Sequence, residues 1–163
     1  SKLIKKKLMI KADVLITNKN WRKYIGVPDL YINKKLRKID KNSTIFQTNN
    51  FDFTILLSGN NEIKKLNNKF RKKNKTTDVL SFPAHKKKAL HILLKKKKTQ
   101  IYLGDIIINL NKITPNIKKK EFFLNFDKIW IHGLTHLLGY RHKLNCDFFI
   151  MTKMENKLIK YSK

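Results

Sequence analysis

Residues 132–142 read HGLTHLLGYRH and hold three of the five histidines in the chain. His132 and His136 are four residues apart, and in a helix that spacing places both side chains on one face, one turn apart. Gly139 follows three residues later, and glycine readily adopts the left-handed backbone conformation that ends a helix. The chain can then turn back and present His142 from the other side. The spacing therefore predicts that three imidazoles at the end of a helix bind one metal ion.

Three protein nitrogens leave a fourth coordination position open for water or substrate, which is typical of catalytic zinc sites rather than closed structural ones. Zinc proteases share this histidine spacing in the motif H-E-x-x-H-x-x-G-x-x-H, but Gly133 stands where they keep the glutamate that acts as general base. A metal held here can still lower the pKa of a bound water or polarise a phosphoryl oxygen. The residues therefore favour metal-assisted cleavage of phosphodiesters over peptide hydrolysis.

A protease stays an alternative only if its base comes from elsewhere in the chain. Glu121 lies on the same predicted helix but about three turns from His132, and Glu155 on the following helix is the better candidate. The other two histidines, His85 and His91, lie among lysines and are predicted to be loop residues. The metal is not fixed by the residues, because three imidazoles also accept nickel, copper or iron.

The charge of the chain is strongly positive, with 38 basic and 11 acidic residues and a formal net charge of +27. Such a charge attracts polyanions, above all nucleic acid. The abundance of Lys, Asn, Ile and Phe is also typical of an AT-rich genome, and that bias accounts for part of the charge. The lysine runs at 86–88, 95–98 and 118–120 are predicted to be solvated loops or helix edges first and RNA contacts second.

The length of 163 residues predicts a single domain over residues 1–163. The single Cys146 excludes an internal disulfide framework and fits a reducing compartment. No apolar run approaches the roughly 20 residues that a membrane helix needs. We therefore expect a cytoplasmic protein with no membrane partner.

Helix and strand patterns alternate along the chain. Strands are predicted at 12–17, 51–58, 78–84 and 101–109. Helices are predicted at 20–39 with a break near Gly26 to Pro28, and at 60–71, 119–138 and 147–159, while the form of 89–94 is left open. Asn60 or Asn61 is the predicted cap of the second helix and Asp147 that of the last. The pattern predicts an α+β (or α/β) fold, a mostly mixed sheet covered by helices.

Apolar residues at helical spacing predict which helix faces point inward. The second helix presents Ile63, Leu66 and Phe70. The long helix and the last helix present a larger inward set: Phe122, Phe126, Ile129, Trp130, Leu137, Phe148, Met151, Leu158 and Ile159.

The histidine segment also resembles the signature of the YbeY family of bacterial rRNA maturation factors, H-G-x-x-H-L-x-G-Y-D-H. Three further segments resemble that family in the same order: LNNKFRKKNKTTDVLSFP at 66–83, LGDIIIN at 103–109, and MTKMENKLI at 151–159 with Met151 and Glu155 matching. Together they span residues 66–159, and the part before them carries no sharp motif.

The resemblance implies a zinc-dependent endoribonuclease specific for single strands. It implies a role in rRNA processing, notably maturation of the 3′ end of 16S rRNA in the small ribosomal subunit, and in ribosome quality control. His132, His136 and His142 match the metal ligands of the family, and Arg71 and His132 are the expected catalytic residues. An arginine suits this chemistry because its always-charged fork can hold a phosphate in bidentate fashion. Without the motif, Arg71 would be interpreted as a surface cation at a helix end.

The segment after Arg71 raises two further expectations. Thr76, Thr77 and Asp78 are expected to cap and pin the loop that carries Arg71, while Ser81 has no adjacent base that would make it a nucleophile. Asp105 either orients a group near the metal site or is simply a residue at a strand edge.

The chain departs from the family at Arg141, where the family usually has aspartate. If that carboxylate supports a ligand, its loss would lower metal affinity or rate by about 10–100-fold. Thr135 also stands where the family tends to be apolar. The alternative function is therefore a ribosome-associated RNA-binding factor whose metal is structural and whose catalysis is weak or lost.

Overall fold

Apolar residues recur every second position in strands and about every 3.6 positions in helices, and the described part of the chain forms four strands and five α-helices. The computed structural model describes residues 9–97, 99–113 and 118–163. Its elements are strands β1 (Ile10–Ile16), β2 (Asn50–Ser58), β3 (Val79–Pro83) and β4 (Gln100–Asn109), and helices α1 (Pro28–Asn42), α2 (Asn60–Arg71), α3 (Lys87–Lys95), α4 (Lys119–Leu137) and α5 (Asn145–Ser162). Short 3₁₀ turns lie at Lys19–Lys23 and Leu110–Lys112. Among the described helices, none is long and apolar enough to cross a membrane.

The four strands form one mixed sheet in the order β1-β2-β4-β3. β1, β2 and β4 run parallel, and β3 runs antiparallel to β4 at the edge. The predicted α+β fold with a mixed sheet is confirmed. Gly104 sits at an irregularity between β2 and β4 with φ of 131°, and a Cβ there would lie 2.2 Å from the backbone oxygen of Phe82. Glycine therefore lets the edge strand approach this closely.

The two faces of the sheet are covered unequally. One face packs against α1 and α4, with α5 behind them, and carries the main core, which includes Trp21, Phe53, Ile106 and Trp130. Among the described elements, α2 alone covers the opposite face, over a small cluster formed by residues such as Ile107. The histidine-bearing helix α4 thus lies on the fully packed side.

The predicted helices at 60–71 and 119–138 match α2 and α4 to within a residue. The predicted helix at 20–39 is split, because Pro28 begins α1 as its first residue and α1 continues to Asn42. The segment 89–94 is helical and forms most of α3, so His91 is an exposed helix residue and not a loop residue.

Both predicted helix caps are wrong. Gly59 precedes α2, and the side-chain oxygen of Asn60 instead accepts a hydrogen bond from Asn109. The side chain of Asn111 accepts from the backbone N–H of Asn60, so a residue distant in sequence satisfies this helix end. α5 begins two residues before Asp147, which therefore lies in its first turn, where a carboxylate still favours the helix dipole.

Two predicted core phenylalanines are exposed, while the rest of the predicted inward set is buried or half-buried. Phe70 lies at the rim of the half-covered face, with its ring edge against Phe82 at a centroid distance of 5.3 Å. Phe148 lies in the first turns of α5. Glu155 of α5 contacts His132 of α4. Only five residues of α4 follow His132, but ten residues of α5 precede Glu155. The first turns of α5 therefore extend beyond the end of α4, which leaves Phe148 exposed.

Candidate metal centre

The three histidines of the segment 132–142 converge at the end of α4. The rings of His132 and His136 lie 4.6 Å apart between centroids. The ring of His142 lies 5.8 Å from that of His132 and 5.0 Å from that of His136. One ligating nitrogen from each residue can be chosen so that all three lie within 4.8 Å of one another. The three histidines that the spacing singled out therefore form a group that can hold a metal ion.

The turn after α4 delivers His142 to this point. Gly139 has a φ of 96°, so it adopts the left-handed backbone conformation predicted for the end of this helix. Its N–H donates to the backbone oxygen of His136, and the N–H of Tyr140 donates to that of Thr135. This pair of bonds is the Schellman ending of a helix. A Cβ at Gly139 would also lie 3.3 Å from the Cγ of Lys87, so α3 closes over the turn.

The backs of two imidazole rings are held by hydrogen-bond acceptors. Nδ1 of His136 lies 3.0 Å from the backbone oxygen of Tyr140, and Nδ1 of His132 lies 2.7 Å from Oε1 of Glu155. A carbonyl and a carboxylate oxygen only accept, so each Nδ1 carries a proton, and in the neutral form of each ring Nε2 presents the lone pair. The two Nε2 atoms face each other at 3.1 Å, where two lone pairs repel unless a proton or a cation lies beside them. This donor set fits a metal ion bound through Nε2.

The electrostatics keep one ring neutral. Burial lowers the pKa of His136 from its ordinary value of 6.5 to about 4, and the nearby His132 acts in the same direction. His136 is therefore uncharged near neutral pH, which is the form that binds metals.

Gly133, which occupies the glutamate position of the zinc proteases, faces the sheet. A Cβ at this position would lie 2.7 Å from Cγ2 of Ile106 on β4. A glutamate here would collide with the sheet. Glu155 contacts the Nδ1 side of His132, away from the Nε2 atoms, and Glu121 is exposed in the first turn of α4. Neither carboxylate lies beside the metal-binding nitrogens, where a protease would need its general base.

Arg71, the last residue of α2, reaches the edge strand β3. Its Nη2 donates to the backbone oxygen of Ser81 at 3.3 Å, and its guanidinium lies 5.9 Å from the ring centre of Phe82. Leu80 packs with α2, so strand alternation turns the Ser81 side chain toward α4. Arg71 and the histidines therefore approach β3 from opposite faces. Over the described residues, no hydrogen bond or ion pair joins Arg71 to the histidines, and its role stays a prediction.

The loop after Arg71 is pinned mainly by two asparagines that the sequence pattern did not single out. The side chain of Asn67 donates to the backbone oxygen of Lys75 at 2.8 Å. The side chain of Asn109 donates to the backbone oxygen of Thr77, and its N–H donates to that of Asp78. Thr77 contributes a weaker bond to Asp78 at 3.3 Å. Both asparagines are buried on otherwise apolar faces, and that position is the sequence signal for them.

Asp105 does not lie at the histidine cluster. It is exposed on the face that carries α2 and accepts a hydrogen bond from the hydroxyl of Tyr102. Its neighbour Ile106 points to the other face, toward α4, which is the physical reason for the difference. The orienting role considered for Asp105 belongs instead to Glu155 and the backbone of Tyr140.

Buried Thr135 fits its position between the two helical histidines. Its hydroxyl donates to the backbone oxygen of His132 at 2.6 Å, so its polar atom is satisfied inside the helix. Arg141, in contrast, is exposed in the turn before His142.

The family model described as "Endoribonuclease YbeY" matches residues 15–163. A curated protein of that name from Pelagibacter ubique (strain HTCC1062) is 43% identical over 158 residues, covering 95% of this chain and 97% of the relative. Another of that name from Thermodesulfovibrio yellowstonii is 35% identical over 129 residues, covering 77% of this chain and 74% of the relative.

A solution structure of a Thermotoga maritima protein shares the fold, with a TM-score of 0.52 at 22% identity, covering 94% of this chain and 89% of that one. The match to the family model and the identity to curated relatives agree with the segments found in the sequence. This chain belongs to the Endoribonuclease YbeY family.

Proposed function

We propose that this chain is a metal-dependent endoribonuclease that cuts single-stranded RNA, with residues 1–163 acting as one catalytic domain. The observation that carries the proposal is the cluster of three imidazoles, with ligating nitrogens within 4.8 Å of one another, in a member of a family named for endoribonucleases. Its ligands are His132, His136 and His142, and the proposed ion is a single Zn²⁺, because imidazole sites with an open fourth position suit zinc.

The residues of the chain prepare this site before any metal binds. Glu155 and the backbone oxygen of Tyr140 fix the rings of His132 and His136 and present their Nε2 atoms. A bound metal would supply a Lewis acid that lowers the pKa of a water or polarises a phosphoryl oxygen. We assign His132 and Arg71 as the catalytic residues.

Arg71 is the proposed phosphate clamp. Over the described residues, the guanidinium donates one hydrogen bond, to the backbone oxygen of Ser81, so most of its five N–H donors are left for a substrate. The side chain is exposed, and the charge of its fork does not depend on pH. A phosphate held there would have its growing negative charge stabilised as the bond to the leaving oxygen breaks.

Replacing Arg71 tests this assignment. We expect Arg71→Ala to lower kcat on single-stranded RNA by about 100-fold or more, the cost of losing one donor that stabilises transition-state charge. Arg71→Lys should recover only part of the rate, because lysine lacks the fork. Arg37→Ala, which removes an exposed arginine on α1, is the matched control. An Arg71→Ala protein that cuts like Arg37→Ala would remove Arg71 from the active site.

Two attacking groups are compatible with the site, a water and the 2′-hydroxyl of the RNA itself. In the part of the chain that the structure describes, no carboxylate joins the histidine cluster as a local base, given where Gly133 and Glu155 lie. A substrate with a single 2′-deoxy nucleotide before the cut distinguishes the two. Cleavage that survives the substitution identifies water, and cleavage that stops identifies the 2′-hydroxyl.

We propose rRNA as the substrate, notably the 3′ extension of 16S rRNA on the small ribosomal subunit, with a part in ribosome quality control in the cytoplasm. The family resemblance and the net charge of +27 support this choice. Small subunits that carry unprocessed 16S rRNA are the direct substrate for the test. Tight binding without cutting by metal-loaded protein would favour the alternative, an RNA-binding factor with a structural metal.

A further inference from the structure

The first turns of α5 expose four large apolar side chains. Leu144 is 64% exposed, Phe148 62%, Phe149 72% and Ile150 54%. These four residues form the α5 apolar strip. Several large apolar side chains exposed so close together on a highly charged protein mark an interaction site.

The strip leads away from the metal centre. Phe148 precedes Glu155 by seven residues, which is two helical turns, so both lie on the same face of α5, about 10 Å apart along its axis. Glu155 holds Nδ1 of His132. Leu144 lies one turn before Phe148 and two residues after His142. The strip therefore begins two residues after the third histidine, and its Phe148 shares a face of α5 with Glu155, while Phe149 and Ile150 project from neighbouring faces.

The surroundings of the strip are basic. Arg141 and Lys143 are exposed on either side of His142, and Lys87 packs on the turn at Gly139. Asp147 is the only acidic residue among residues 141–150. Aromatic side chains set among cations form the surfaces that hold single-stranded nucleic acid, because bases stack on the rings while cations neutralise phosphates.

We propose that Phe148 and Phe149 form a stacking platform for the RNA bases next to the phosphate bound at the metal centre, with Arg141 and Lys143 contacting the flanking phosphates. This inference rests on the proposed function and extends it. A base is free to stack on a protein ring only when it is unpaired. The platform thus gives a physical reason for selecting single strands with little dependence on sequence.

Binding of RNA, measured without cleavage, tests the platform. The probe is a fluorescent single-stranded decamer of 2′-O-methyl RNA, titrated with zinc-loaded protein and followed by anisotropy. We expect the double variant Phe148→Ala/Phe149→Ala to bind about 5- to 100-fold more weakly than the wild type. Phe148→Tyr/Phe149→Tyr, which keeps both rings, should bind within about twofold of it, since every base stacks on either ring. Leu30→Ala, which removes an exposed apolar side chain from α1, is the matched control.

Two further arms separate stacking from charge. A decamer with abasic sugars at its centre keeps the phosphates but removes the bases. The double alanine variant should bind this decamer with the same affinity as the wild type. The variant Arg141→Ala/Lys143→Ala should instead flatten the dependence of affinity on salt, which the phenylalanine variant leaves unchanged.

Three results would overturn the platform. The first is wild-type affinity of the double alanine variant for the intact decamer. The second is an equal loss on the abasic decamer, which would place the defect in folding or phosphate contact. The third is a change of oligomeric state in sedimentation with RNA affinity kept, which would make the strip a contact between copies. Wild-type protein that binds no RNA at all contradicts the proposed function itself, whereas cleavage with unaltered binding in the variants removes only the platform.

Discussion

At the scale of single residues, the orientation of the ligands depends on groups behind the rings. Glu155 contacts Nδ1 of His132 at 2.7 Å, and Gln at this position would keep the shape but lose the charge. We expect Glu155→Gln to weaken zinc affinity by about 10–100-fold. A competing chromophoric chelator measures this without any RNA. Glu121→Gln, an exposed carboxyl in the same helix as the ligands, is the control, and equal affinities for both variants would deny Glu155 its role.

The pKa of His136 sets a pH dependence for the metal-free protein. Its folded-state pKa of about 4 lies below the ordinary 6.5, so the unfolded chain binds more protons between these values. The free energy of unfolding of chelator-treated protein should therefore fall as the pH falls from 6.5 toward 4. Denaturant titrations at several pH values measure the slope. A His136→Gln variant should show a shallower slope, and an equal slope would contradict the buried, neutral state of this ring.

The convergence of the three histidines could be predicted from sequence because their geometry is local to one helix and one turn. The contact of Glu155 with His132 could not, since the two lie 23 residues apart and meet only through the packing of α5 on α4. The same holds for Asn67 and Asn109, whose bonds cross between elements.

At the scale of elements, Gly133 determines how closely α4 packs on the sheet. A methyl group there would lie within 2.7 Å of the Ile106 side chain. We expect Gly133→Ala to lower the free energy of unfolding by about 1–3 kcal/mol, the usual cost of overpacking a core. Urea unfolding gives the value. Gly26→Ala, where a Cβ meets nothing within 4 Å, is the control, and equal stability of the two variants would contradict the close approach.

Apolar periodicity predicted most helices and strands well. It failed for side chains whose exposure depends on how other elements pack. Phe70 and Phe148 have the spacing of inward residues, but the partly covered sheet face and the projecting start of α5 leave both exposed. Asp105 belongs to a segment that resembles the family, yet strand alternation turns it to the face opposite the histidine cluster. The predicted cap of α2 was wrong for the same reason, because the side chain of Asn111, distant in sequence, accepts a hydrogen bond from the first N–H of that helix.

At the scale of the whole molecule, the charge of +27 should govern the affinity for RNA. Each phosphate neutralised on a single strand contributes about −0.7 to the slope of log affinity against log salt. We expect affinity for a single-stranded RNA to fall at least about 10-fold between roughly 50 and 200 mM salt. Anisotropy titrations over this range measure the slope. A slope near zero would mean that the charge reflects composition alone.

Restoring zinc to metal-depleted protein is the direct test of whether a metal held by the three histidines cuts RNA. Chelator-treated protein would receive zinc in steps while cleavage of a single-stranded RNA is followed, with His136→Ala in parallel. We expect cleavage that rises with zinc and levels off at one ion per chain, and no cleavage by His136→Ala at any zinc level. Cleavage by metal-free protein, or by His136→Ala, would contradict this expectation, and so would a fully zinc-loaded wild type that leaves the RNA intact.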